Sequence, residues 1–174
     1  MAALEDFDSS GLPNITFRDE MSLFVDDIVV HLIHLPSGHT NGDLAIWIPK
    51  LNILFTGDTF VTEGYPAIDL KSGSIRGLIK AVTAMIQIIE DNTLIIPGHG
   101  NLREKSNETI ESPKREDIIQ YRNMLITVTT EVEKLKQLGQ SLQDIIAKKP
   151  TCDGAVLLML AWLRIHEQSC SETA

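Results

Sequence analysis

The chain has 174 residues, 43% of them hydrophobic, which is enough for one domain with a substantial core and too few to expect two. Its formal net charge of -9 speaks against nucleic-acid partners, because such proteins gather Lys and Arg on one face to displace counterions. Met1 to Ser10 has neither the basic nor the apolar region of a secretory signal, and the longest apolar run, Ala155 to Leu163, is about half the ~20 residues a membrane span requires.

A cytoplasmic protein without nucleic-acid or membrane partners is therefore expected. Cys152 and Cys170 sit in no metal-ligand spacing and are expected to be free thiols. No repeat or linker divides the chain, so residues 1–174 are read as a single domain with residues 1–11 as a flexible acidic leader.

In chain order, β-rich segments come first: Asn14 to Phe17, Met21 to Val25, Ile28 to Leu35, Leu44 to Ile48 and Ile53 to Phe55. Asp26 and Asp27 read as the turn between two of them. Ser74 to Glu90 then places Ile75, Leu78, Ile79, Val82, Met85, Ile86 and Ile89 on one helical face. Thr93 to Ile96 returns to strand.

Ser112 followed by Pro113 reads as an N-cap and first helical position. It opens a long helix to about Leu138 with a seam of Ile118, Tyr121, Leu125, Val128, Val132 and Leu135. Gly139 stops that helix, Ser141 with Asp144 caps a short one through Lys148, and Asp153 caps a last one.

Within Ile28 to Leu35 both faces are largely apolar, with Val29, His31, Ile33 and Leu35 on one and Ile28, Val30, Leu32 and His34 on the other. Such a strand is normally covered on both sides. The recognisable helices suffice for one side.

Three segments carry metal-capable side chains at predicted strand ends: Gly38-His39-Thr40 with Asp43 behind it, Thr56-Gly57-Asp58, and Pro97-Gly98-His99-Gly100. Two imidazoles and a carboxylate suit zinc, and iron less well, because such ions bind neutral nitrogen and hard oxygen donors. The flanking glycines allow the backbone to turn so that the ligands converge. Asp43, Glu63, Tyr65 and Asp69 are near enough in sequence to support those ligands or face a substrate.

This ordered set resembles the second half of the metallo-β-lactamase hydrolase superfamily, closely over Leu35 to Gly100 and more loosely beyond. The resemblance implies an α/β fold, one mixed sheet covered by helices on one face, forming half of an αββα sandwich. It implies two metals about 3.5 to 4 Å apart with a shared activated water. In that scheme His39 belongs to the first metal, Asp58 bridges both and is the catalytic carboxylate, and His99 belongs to the second.

The superfamily's upstream His-x-His-x-Asp-His motif has no counterpart here. His31 and His34 are three apart, point to opposite faces of a strand, and are read as residues bonded to their neighbours. His166 and Cys170 are read as ordinary tail residues.

Two consequences are expected. An uncovered apolar sheet beyond ~600 Å² is unusual on a monomer, so a homodimer packed sheet to sheet is anticipated. The incomplete ligand set points to a module without efficient hydrolysis. The alternatives are a hydrolase with a single ion, one completed by a partner chain, or a non-enzymatic module with an accidental likeness.

Overall fold

A computed structural model describes residues 12–62, 67–100, 103–106 and 109–148. The leader, Glu63, Tyr65, Cys152, Asp153, His166, Cys170 and the run from Ala155 to Leu163 lie outside the described residues.

Five strands form one sheet in sequential order: β1 (Glu20–Val25), β2 (Ile28–His34), β3 (Leu44–Ile48), β4 (Ile53–Gly57) and β5 (Leu94–Pro97). The first three pairings are antiparallel, and β4 with β5 is parallel. Parallel neighbours need a crossover, which helix α1 (Ile75–Ile88) supplies. Between β1 and β2, Asp26 takes a positive φ of 52°, a conformation that Asp and Asn tolerate better than most residues.

Ala45, Leu54 and Ile95, all fully buried, come from β3, β4 and β5. They share one apolar cluster with Leu78, Val82 and Met85 of α1 and with Ile118, Tyr121 and Leu125 of helix α2 (Arg115–Gln137). The seam predicted for α2 is thus its buried stripe. Each fully buried aliphatic side chain stabilises the fold by about 1.5–3 kcal/mol before entropy is counted. A second cluster joins Val128 and Val132 to Ile145 of helix α3 (Leu142–Ala147).

Three features differ from expectation. Asn14 to Phe17 forms no strand, and Ile15 is 66% exposed; strand propensity needs a ladder partner to become structure. Helix α2 begins after Lys114 rather than Ser112, because the Asp117 carboxylate accepts from the Lys114 amide at 2.7 Å. Between α1 and α2 an unforeseen hairpin pairs β6 (Arg103–Ser106) with β7 (Thr109–Glu111).

Among the described residues, the other side of the sheet carries none of the core. Cross-strand partners project to the same face, and Met21, Leu32, Ile46, Phe55 and Ile96 are successive partners across all five strands. None belongs to a buried cluster. Among the described residues, the helices cover one face of the sheet.

Candidate metal centre

The loops leaving β2, β4 and β5 meet at one end of the sheet. His39 lies on the first, where the Asp43 carboxylate holds the backbone. Its Oδ2 accepts from the His39 amide at 2.7 Å, and its Oδ1 accepts from the Thr40 amide at 2.8 Å and hydroxyl at 2.6 Å. The start of α1 fastens the same loop, for the Ser74 amide donates to the Gly38 carbonyl at 2.9 Å and the Ser74 hydroxyl to the Ser37 carbonyl at 3.1 Å. Ser74 also caps α1 by accepting from the Gly77 amide at 3.0 Å.

The His39 ring is oriented separately. Nδ1 faces the Ala67 carbonyl; a carbonyl only accepts, so Nδ1 is the donor there and Nε2 is the nitrogen turned toward Asp58.

Asp58 follows Gly57, whose φ of +52° suits glycine and bends the chain out of β4. The next turn is packed into the core. The buried Thr59 hydroxyl donates to the Thr56 carbonyl at 2.5 Å, and the Phe60 ring meets Tyr121 of α2 edge to face at 5.4 Å. The β5 loop is then laced to the β4 loop, with the Gly98 amide donating to the Phe60 carbonyl and the Thr62 amide to the His99 carbonyl, both at 3.1 Å.

These loops bring the three predicted ligands together around Asp58. His39 Nε2 lies 3.5 Å from Asp58 Oδ2, and His99 Nε2 lies 3.4 Å from Asp58 Oδ1. Both separations exceed the ~2.9 Å of a good N–H···O bond. Two donors each ~2.1 Å from one tetrahedral ion stand about 3.4 Å apart. The donor chemistry and spacing thus fit one imidazole and one carboxylate oxygen on each of two ions. They do not gather three donors on one ion, and among the described residues no group of three or more His, Cys, Asp or Glu side chains forms a metal cluster.

The remaining candidates have structural work. The Asp69 amide donates to the His39 carbonyl at 2.8 Å, and its carboxylate accepts from the Ser72 hydroxyl at 2.5 Å. That hydroxyl holds the Asp69 carboxyl below its usual range. His31 Nδ1 bonds to the Ser22 hydroxyl at 3.0 Å, and His34 Nε2 donates to the Asn41 carbonyl at 2.9 Å. Both behave as strand residues tied to neighbours. Ala67 and Ser74 escaped sequence reading, since a backbone carbonyl has no side-chain signature and Ser74 reads only as the start of the helical segment.

The family model of the metallo-beta-lactamase superfamily matches residues 3–99. The chain belongs to that superfamily. It is 33% identical over 85 residues to an uncharacterized protein of Mycobacterium leprae, a match covering 48% of this chain and 38% of that one. It is 29% identical over 111 residues to the hydroxyacylglutathione hydrolase GloC of Haemophilus influenzae, covering 59% and 52%. The chain therefore spans about half or less of the length of these relatives.

Solved structures share the fold at low identity. A metallo-beta-lactamase family protein from Thermus thermophilus superposes with a TM-score of 0.61 at 14% identity, covering 92% of this chain and 50% of its own. The stereoselective inverting sec-alkylsulfatase of a Pseudomonas species gives 0.62 at 15%, covering 87% and 24%. Nearly all of this superfamily chain thus corresponds to half of the Thermus fold.

Proposed function

We propose that this chain is the half of a metallo-beta-lactamase-type hydrolase that keeps part of its metal site, in which Asp58 would be the carboxylate common to two zinc positions, His39 serving one and His99 the other. The observation that carries this reading is the two-sided environment of Asp58, with a separate imidazole on each carboxylate oxygen. Zinc, when bound, would polarise a substrate carbonyl and make water nucleophilic at neutral pH.

Three side chains would offer each ion one imidazole and one oxygen of the common Asp58 carboxylate, whereas catalytic zinc normally takes three protein ligands. These residues alone accordingly support weak metal binding without efficient hydrolysis, and the chain acts as a folding or interaction module until further ligands are supplied. With the site completed, a thioester is the substrate class to try first, on the strength of the relative named hydroxyacylglutathione hydrolase.

Metal content of protein purified without chelators tests this, with Asp58→Ala and His99→Ala as controls. The expected result is substoichiometric zinc that both variants lose, together with no thioester hydrolysis above background. Zinc below about a tenth of an equivalent that neither variant changes would reject the metal site. Stoichiometric zinc with turnover that either substitution abolishes would favour a single-ion hydrolase instead.

A further inference from the structure

We infer that Asp69 and Gly73 are positioning residues that hold the His39 imidazole in place, an inference that rests on the reading of His39 as a zinc ligand. Both act through the segment from Ala67 to Ser74, which lies along the loop from Ser37 to His39. The Ala67 carbonyl faces His39 Nδ1, the Asp69 amide donates to the His39 carbonyl at 2.8 Å, and the Ser74 amide donates to the Gly38 carbonyl at 2.9 Å.

The segment matters because the ring does not orient itself. Rotation about the last torsion of a histidine side chain is soft, and a half-turn would put a carbon where Nε2 stands 3.5 Å from Asp58 Oδ2. Asp43 does not prevent that turn, since it binds two backbone amides and the Thr40 hydroxyl. The Ala67 carbonyl does, by giving the other ring nitrogen a partner. A metal ligand must be held within about 0.5 Å of its working position, so whatever fixes Ala67 relative to His39 fixes this part of the site.

Two features do so. The Asp69 carboxylate accepts from the Ser72 hydroxyl at 2.5 Å, and the Gly73 amide donates to the Asp69 carbonyl at 2.8 Å. These bonds close residues 69–73 into one turn whose Asp69 amide meets the His39 carbonyl. Gly73 lets that turn come close, for a β-carbon built there would collide with the carbonyl oxygens of both His39 and Gly38. Its φ is not positive, so room rather than backbone conformation demands glycine at this position.

Imidazole NMR signals of His39 in the metal-free chain, assigned with His39→Gln, read ring placement without reference to zinc. Gly73→Ala and Asp69→Ala are expected to shift them. Zinc titration of the same variants is expected to show affinity about 10-fold or more below wild type. Asp69→Asn keeps an oxygen that accepts from Ser72 and is expected to match wild type in both readouts. So is Gly42→Ala in the His39 loop itself, because a β-carbon there meets nothing nearer than Thr40 Oγ1 at 3.9 Å.

A residue that only stabilises the fold would lower Tm and leave the His39 signals in place. That result in both folded variants overturns the inference, and so do shifted signals with unchanged zinc affinity. Should Gly73→Ala fail to fold by circular dichroism, Asp69→Ala decides by itself. A wild-type chain that takes up no zinc refutes the ligand reading instead, and unshifted His39 signals then overturn the positioning separately.

Discussion

The Asp43 carboxylate grips the backbone of His39 and leaves its ring free: the His39 amide donates to Asp43 Oδ2 at 2.7 Å, while the ring nitrogen Nε2 faces Asp58. A part-buried carboxylate accepting three such bonds preorganises the loop without touching the proposed metal.

Asp43→Ala is therefore expected to cost about 2–4 kcal/mol of stability, since hydrogen bonds to a charged group are worth about 1.5–3 kcal/mol each and do not add fully. Zinc affinity should fall about 10-fold or more, as it does when the support of a ligand is removed. Urea denaturation and zinc titration measure the two effects, and unchanged zinc affinity in a folded variant would contradict the positioning role.

Gly98 meets Asp58 at closest quarters. A β-carbon built on Gly98 would collide with Asp58 Oδ1 and with the backbone of Gly57. Gly98→Ala must therefore displace the carboxylate or part the two loops, at about 1–3 kcal/mol. The expected outcome is loss of zinc comparable to Asp58→Ala with a lowered Tm. Wild-type zinc content in Gly98→Ala would show that the Asp58 position is not critical.

Leu54 and Phe55 are neighbours on β4 that project to opposite faces, the first fully buried and the second open. Leu54→Ala should cost about 3 kcal/mol by leaving a cavity beneath the helices. Phe55→Ala should cost under about 1 kcal/mol in the isolated monomer. If the face is paired, its cost will grow with protein concentration. Denaturation midpoints at two concentrations separate the cases.

Asp144 gives an acid-dependence with a definite sign. Ser141 donates its hydroxyl to the Asp144 carboxylate at 2.6 Å and its amide at 3.2 Å, and the hydroxyl bond is the main reason the carboxyl lies below its ordinary 3.8. A carboxyl more acidic in the folded chain stabilises the fold above its unfolded value, and that contribution fades as pH falls through the lower folded value. Ser141→Ala should move the Asp144 titration toward 3.8 and make α3 less sensitive to acid below that pH. Carboxyl chemical shifts follow the titration, and an unmoved Asp144 would show that the bond is not the cause.

Much of this molecule is legible in one dimension because period and composition are local. The apolar spacing of Ile75 to Ile89 announced α1, the capping pair Ser141 and Asp144 announced α3, and the β-rich composition of Ile28 to Leu35 announced β2. The ordered motifs containing His39, Asp58 and His99 identified the superfamily, since three strand-end signals in sequence are far more specific than any one.

Local signals failed where the outcome depends on a distant partner. Asn14 to Phe17 has strand composition but no ladder, Ser112 loses the cap to Asp117, and the β6–β7 hairpin announces itself by no strong apolar alternation. Only the tertiary structure decided how the site residues are arranged. The Ala67 carbonyl sets the His39 ring, Ser74 ties its loop to α1, and Gly98 admits the Asp58 carboxylate between two imidazoles. Which residues have metal-binding chemistry follows from their side chains. That they flank one carboxylate on opposite sides follows from loops brought together by a parallel strand pair and its crossover helix, a relation no linear spacing contains.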